Sequence, residues 1–416
     1  MAELPPFMHP FSKESKVWVR KMGDDQLLKT KYRAVRNQVY DFLGVEGYDE
    51  ILTLLHSPSR RSLATDRANK LLGNMFGIDL THQDIVRYLH DYAQTADDVV
   101  NSLRSKVLAP YSSHIETTNE IETTHNPVDL FLIYFNERFH TKARFEAKRK
   151  LVLMNLAGLI DQRERETDIA KKFADFITFL NVHVWSPTLK IGDLKIHYLH
   201  SKHREGDFSC EKVAVLTEEE AAQRTPVVGE KLTLVKRRSF YCNNKEIPVY
   251  VTIRKKPPSA KVLKLLRKNE KNPATAVDDE LGLMAVLNSV GEVKCFLRHL
   301  TQSALKADSF MTLEDITDTL TGGEYASSST GSSGKTSMLK FFARLGGMRV
   351  EFIIHTNRSY LNYIYQRDVA HDEYEVKRIF DTGVAEFLFP KDIYHLDMKE
   401  IREKQIQRFR RRIEEW

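Results

Sequence analysis

Residues 338–375 read MLKFFARLGGMRVEFIIHTNRSYLNYIYQRDVAHDEYE, and this stretch decides the fold. Two apolar runs flank Gly346-Gly347. A Gly-Gly pair between such runs signals a hairpin, because both turn positions can adopt a positive φ. The second run extends from Met348 to His355. Side chains alternate across a strand, so Val350, Phe352 and Ile354 share one face, and Glu351, Ile353 and His355 share the other. A carboxylate and an imidazole then point the same way. One helix is expected to follow, from about 357 to 380, with His371 and Tyr374 at i, i+3 spacing. A sheet and the helix behind it are a common way to assemble a site.

Upstream of the hairpin the pattern changes twice. Up to about residue 182 the apolar periodicity is helical: Tyr32–Phe42, Ile85–Leu103, Leu130–Phe139, Ala147–Ile160 and Ala170–Leu180. The polar segment Pro110–Pro127 reads as a loop between two helical groups. Past Trp185 the runs become short, β-branched and aromatic: Leu194–Leu199, Lys212–Leu216, Lys231–Tyr241 and Ile247–Ile253. Helix and strand then alternate. Pro257-Pro258-Ser259 opens a helix to about Lys268, Asp278-Asp279-Glu280 leads into the strand Leu281–Leu287, and Ser289 with Glu292 starts the next helix as a capping box. The fold class expected is α+β: a helical domain over 1–185, a mixed-sheet domain with helices on the sheet over 186–395, and a basic C-terminal helix over 396–416.

The chain's 416 residues are enough for two or three domains, and 42% apolar with 29% charged residues describes a soluble globular protein. No apolar run reaches the roughly 18–20 residues needed to span a bilayer. The N-terminal residues show no signal-peptide core. Cys210, Cys242 and Cys295 show no paired spacing, which argues against a disulfide framework and for a reducing, cytoplasmic setting. A formal charge of +6 permits an anionic partner such as a nucleotide or RNA, and equally a merely solvated basic surface.

Four constellations could carry chemistry. Asp279 at a strand start and Glu351 in mid-strand could hold Mg²⁺, which binds through one or two carboxylates plus substrate phosphates. Arg254, Lys255 and Lys256 end a strand, and Lys261, Lys264 and Arg267 decorate the next helix, where cations and free backbone N–H groups suit phosphate. Ser329 to Thr336, reading STGSSGKT, resembles a Walker A loop with Ser in place of its first Gly. A P-loop needs a helix after it, yet a strand follows, so a covering loop or a linker fits better. His90-Asp91 is an HD pair that would need further ligands from other helices, and His56 offers no diagnostic context.

Taken in order, residues 245–380 resemble the synthetase domain of the RelA/SpoT family, the (p)ppGpp synthetases. Arg254-Lys-Lys256-Pro-Pro-Ser259 resembles the family's basic segment ahead of its first helix. Asp279-Glu-Leu-Gly282 resembles the strand whose leading Asp binds Mg²⁺, and Gly334-Lys-Thr-Ser337 stands where the family has Gly-Tyr-x-Ser. Val350-Glu351-Phe-Ile-Ile-His355-Thr356 resembles Val-Glu-x-Gln-Ile-Arg-Thr, and Ala370-His371-Asp-Glu-Tyr374 resembles Ala-His-Trp-x-Tyr.

The resemblance implies a nucleotidyltransferase-like fold and pyrophosphate transfer from Mg-ATP to a ribose hydroxyl of a nucleotide or RNA. It implies Glu351, His371 and Ser337 as catalytic residues and Asp279 and Glu351 as Mg²⁺ ligands. Arg254, Lys256, Ser259, Lys261, Lys264, His355 and Tyr374 would bind ATP. The chain departs from the pattern where the family's stacking Tyr is Lys335, its strand-ending His is Leu339, and its Arg residues are Met284 and His355. Two other readings stay open. One is a catalytically degenerate nucleotide- or RNA-binding module, with the helical domain docking a protein partner or a second copy. The other is a P-loop NTPase.

Overall fold

The computed structural model describes residues 37–78, 81–186, 195–323 and 335–415. The chain forms two compact units. One comprises residues 1–163 and 388–395, and the other 164–387 and 396–416. The division falls at Arg163/Glu164, where the sequence pattern divides the chain at 185/186, and the C-terminal helix belongs with the sheet.

The helical unit contains α1 (Tyr48–His56), α2 (Pro58–Met75), α3 (His82–Ser102), α4 (Pro127–Phe135) and most of α5 (Thr141–Thr167). Thr81 caps α3 in a reciprocal box with Asp84, satisfying N–H groups that a helix start leaves open. Phe76 packs edge-on against Tyr92, with ring centroids 5.3 Å apart. Buried charge is hydrogen-bonded: Glu146 accepts from Thr118 N–H at 2.8 Å and from Tyr394 OH at 2.8 Å, and Arg149 donates to Leu388 O at 2.7 Å. These bonds tie the 388–395 segment into this unit.

The sheet unit begins with α6 (Ile169–Phe179) and continues with β1 (Lys195–His203), β2 (Cys210–Thr217), β3 (Glu230–Cys242) and β4 (Lys245–Lys255). Then come α7 (Pro258–Lys268), β5 (Leu281–Leu287), α8 (Val290–Lys306), β6 (Thr312–Asp318), β7 (Leu339–Leu345) and β8 (Met348–Thr356). Helices α9 (Asn357–Tyr365), α10 (His371–Asp381) and α11 (Met398–Glu415) complete it. The eight strands form one mixed sheet in the order β2-β1-β3-β4-β5-β8-β7-β6. Its β5–β8 pair is parallel and its other neighbours are antiparallel.

The hairpin forms as the sequence predicts. Leu345 pairs with Met348 across Gly346 (φ 54°) and Gly347 (φ 78°), the left-handed geometry that glycine adopts without strain. Val350, Phe352 and Ile354 join Val249, Leu283 and Phe341 in a core covered by Phe176 and Phe179 of α6 and Phe296 of α8. The opposite face carries a smaller cluster, including Tyr250, Val286 and Leu361 of α9. The single helix expected over 357–380 is two helices. Gln366 leaves α9 in an extended conformation and Asp368 has φ 61°, so the chain turns before α10 begins at His371. Among the described residues no helix is long and apolar enough to cross a membrane.

Candidate functional site

The register of three central strands builds the site. Arg254 on β4 pairs with Gly282 on β5, which pairs with Glu351 on β8. All three lie on the face opposite the large core. Gly282 has no side chain, and a Cβ there would stand 3.2 Å from Arg254 Nε. The guanidinium therefore crosses over β5, and Arg254 Nη2 donates to Glu351 Oε2 at 3.2 Å. From the other side, Lys340 Nζ on β7 approaches Glu351 Oε1 at 2.9 Å. Glu351 is buried, at 4% exposure, and these two cations compensate its charge.

Asp279 has the same design. It lies just before β5, where Lys256 N–H bonding to Glu280 O continues the β4–β5 ladder. Lys256 Nζ donates to Asp279 Oδ2, and Lys264 Nζ, from α7, donates to Oδ1 at 2.8 Å. Burial alone would raise the Asp279 carboxyl. The charges and hydrogen bonds of Lys256 and Lys264 outweigh burial and hold it well below the usual carboxylate range. Burial pushes the Lys256 ammonium down, and Asp279 only partly restores it. For Lys264 burial is outweighed by Asp279 and Asp278, so its ammonium sits above its ordinary value. Arg349 of β8 donates to Asp278 O at 3.1 Å, which fastens this acidic loop to the strand that carries Glu351.

The other expected residues divide. Lys261 is 1% exposed and bridges Glu164 at 2.7 Å and Glu280 at 2.6 Å, a buried internal clamp rather than a cation facing the site. Ser259 lies in the first turn of α7. Ser337 donates from Oγ to Thr319 O at 3.2 Å, and its own carbonyl meets His355 Nδ1 at 3.1 Å, so its hydroxyl is turned toward Thr319. His355 is fully buried, and burial lowers its pKa to about 4; it is a neutral imidazole where the resemblance has a guanidinium. His371 opens α10 and stacks on Tyr363 at 5.0 Å, while Tyr363 also contacts His355 at 5.1 Å. Burial lowers the His371 imidazole and raises the Tyr363 hydroxyl. His355 Nε2 and His371 Nδ1 have no hydrogen-bond partner among the described residues. Tyr374 holds its ring under the Arg378 guanidinium at 5.3 Å.

Three residues were missed from the sequence: Lys340, Gly282 and Tyr363. A lysine inside the buried run Leu339–Leu345 was the signal for the first. The Walker-like segment lies outside the described residues up to Gly334, and β7 follows it where a P-loop requires a helix. His90 stacks on His125 at 4.5 Å and 23°, a parallel arrangement unlike two imidazoles converging on one ion. Arg410 of α11 is bound by Glu373 at 2.7 Å and Asp368 at 2.6 Å, while Arg408, Arg411 and Arg412 are exposed.

No cluster of three or more His, Cys, Asp or Glu suited to a metal ion occurs among the described residues. Asp279 and Glu351 are oxygen donors of the kind Mg²⁺ takes, and two carboxylates suffice when substrate phosphates supply the rest. Each of their four oxygens already has a cation of the chain: Lys264, Lys256, Lys340 and Arg254. The donor types would suit Mg²⁺, but a metal at these carboxylates would have to share or displace those cations. Neither a protein-family model, nor a curated protein, nor a solved structure matches the chain.

Proposed function

We propose that the sheet unit is a divergent RelA/SpoT-like nucleotidyltransferase that binds Mg-ATP on the polar face of β4, β5 and β8. It passes the β,γ-pyrophosphoryl group to a ribose hydroxyl of a nucleotide or RNA. The observation that carries this reading is the row Arg254–Gly282–Glu351 with Asp279 at the start of the same central strand. Segments about 100 residues apart in sequence meet there.

Phosphoryl-type transfer asks little covalent chemistry of a protein. It needs placement of the two oxygens in line at phosphorus and neutralisation of the phosphate oxygens. Arg254, Lys256 and Lys264 supply positive charge, and an ammonium has three donors, so one held by a carboxylate can still reach a phosphate. Glu351 lies at the acceptor side, where it orients the hydroxyl and takes its proton as oxygen bonds to the β-phosphorus and AMP leaves. Mg²⁺ held by Asp279 and Glu351 would neutralise charge on the phosphoryl oxygens. Neutral His355 cannot replace a guanidinium, so that part falls to Lys340 and Arg254. The stacked pair Tyr363–His371 walls the site with flat rings.

Pyrophosphoryl transfer from labelled ATP to GDP, GTP or RNA ends tests the reading. Wild-type transfer that Glu351→Gln abolishes supports it. A second reading, a degenerate nucleotide- or RNA-binding module, draws on the cation pairing of every oxygen of Asp279 and Glu351. It predicts no transfer, with ligand binding equal in wild type and Glu351→Gln.

A further inference from the structure

The two carboxylates differ in how firmly their cations are held. On Glu351, the Lys340 side chain is 10% exposed, whereas the Arg254 side chain is 47% exposed. Lys340 also sits over the Phe342 ring at 5.7 Å. It is the fixed partner, and Arg254 is the one free to swing outward. On Asp279, both Lys256 and Lys264 sit on long flexible stems and are 12% exposed. Lys264 further shares itself with Asp278 at 2.8 Å. Arg254, Lys256, Lys264 and Lys340 thus face Glu351, Asp279 and Asp278, the last also 3.8 Å from Arg349 Nη1.

Resting on the nucleotide-binding reading, we propose that these cations are exchangeable counter-ions. A divalent metal and a polyphosphate then enter only together, because the phosphates must first draw Arg254, Lys256 and Lys264 off the carboxylates. The electrostatics dictate the order. A divalent ion arriving alone at Asp279 meets two ammoniums already on its oxygens, and like charges at contact distance in a partly buried pocket repel strongly. A polyphosphate would offer those ammoniums new anionic partners and leave the Asp279 and Glu351 carboxylates to hold the metal. Lys340 stays on Glu351 Oε1 throughout and fixes which oxygen is presented. Because the coupling is thermodynamic, metal strengthens phosphate binding by the same factor that phosphate strengthens metal binding.

Mn²⁺ binding measured by electron paramagnetic resonance, with no nucleotide present, tests the exchange. The expected result is no metal-alone site in wild type and a site gained in the Lys256→Gln/Lys264→Gln variant, at least about tenfold tighter than any wild-type binding. Adding Asp279→Asn to that variant removes it. The Lys256→Arg/Lys264→Arg variant keeps both charges and gains nothing. In EDTA, the affinity of the Gln variant for ATP falls by at least about tenfold. Equal Mn²⁺ binding by wild type and a Gln variant with native circular dichroism overturns the proposal. So does a Gln variant that gains no site. A wild type that binds no ATP with or without metal, alongside a gained metal site, instead overturns the nucleotide reading and leaves the charge lock standing.

Discussion

Phe352 and Glu351 are consecutive on β8, and the two faces they supply are built by different physics. On the Phe352 face, side chains from six strands and two helices interlock, and Phe352 stacks on Phe341 at 5.0 Å and meets Phe176 edge-on at 6.1 Å. Stabilisation there is spread over many contacts, each small. On the Glu351 face, a few charges hold one another, and each depends on a named partner. Such networks contribute little net stability, because desolvation offsets attraction, but they fix geometry. The apolar face holds the sheet together, and the polar face holds its charges in fixed pairs.

Substitutions at the two neighbours test that division. Phe352→Ala should lower unfolding free energy by about 3–5 kcal/mol, from lost burial and the cavity left. Guanidinium denaturation should show a lower midpoint with an unchanged slope. Glu351→Gln, one residue away, should cost about 1–3 kcal/mol, because the amide oxygen remains an acceptor for Lys340 and spares the larger loss, about 3–5 kcal/mol, of removing a buried partner outright. Transfer activity should fall by roughly 10²–10⁴-fold, the size expected for a lost general base. If Glu351→Gln destabilised as much as Phe352→Ala, the two faces would not differ in the way described.

His355 adds a pH-dependent edge to the comparison. It lies on the Glu351 face yet is fully buried, and burial lowers its pKa from 6.5 to about 4. Between those values the unfolded chain binds a proton that the folded chain refuses, so stability falls as pH falls. The contribution is complete above pH 6.5 and has disappeared at about pH 4. The 2.5-unit difference amounts to about 3 kcal/mol. His203 and His299 are also lowered by burial, so some slope remains without His355. His355→Asn keeps a donor for Ser337 O and should flatten the stability profile between pH 6.5 and 4 by that amount, measured by denaturation at fixed pH steps. An unchanged slope would mean His355 is protonated or solvated in the fold.

Local features were legible in the sequence. The hairpin and the face parity of β8 follow from a two-residue turn and a period of two. The Ser289 side chain does cap α8, accepting from Glu292 N–H, though the Glu292 carboxylate accepts from Asn288 N–H rather than completing the box at Ser289. The Lys340–Glu351 contact was within reach as well. The Gly346-Gly347 turn sets Leu345 opposite Met348, and counting back places Phe342 opposite Glu351 with Lys340 on the diagonal. What stayed hidden is non-local. That β5 lies between β4 and β8, bringing Arg254 over Gly282 to Glu351, depends on pairings across 28 and 69 positions. Nothing in either segment alone encodes them. The break between α9 and α10 was missed because the apolar period continues across Asp368, whose left-handed φ is a single-residue event. Helix α6 has the same apolar periodicity as the helices before it, and only the fold shows its Phe176 and Phe179 packed on the sheet.

The smallest expected effect on stability falls at Gly282, where it is also the most discriminating. A Cβ there meets Arg254 Nε at 3.2 Å and Cγ at 3.5 Å, close enough that the arginine must yield by a few tenths of an ångström. The backbone does not need glycine, since Gly282 is not among the positive-φ residues. Replacing it lowers the entropy of the unfolded chain, worth about 0.5–1 kcal/mol in a strand. The bridge it disturbs involves a half-exposed arginine, and such pairs are worth about 0–1 kcal/mol. The two terms oppose, so Gly282→Ala should move the denaturation midpoint by less than about 1 kcal/mol. Gly282→Val reaches further and should push the guanidinium off Glu351. With stability nearly constant in Gly282→Ala, a fall in ATP affinity or transfer there reports Arg254 placement, and Gly282→Val should enlarge it, read against its own denaturation midpoint. Equal ATP binding by wild type and Gly282→Val would mean that the path over β5 is unimportant to the ligand, and that the Arg254–Glu351 contact belongs to the scaffold.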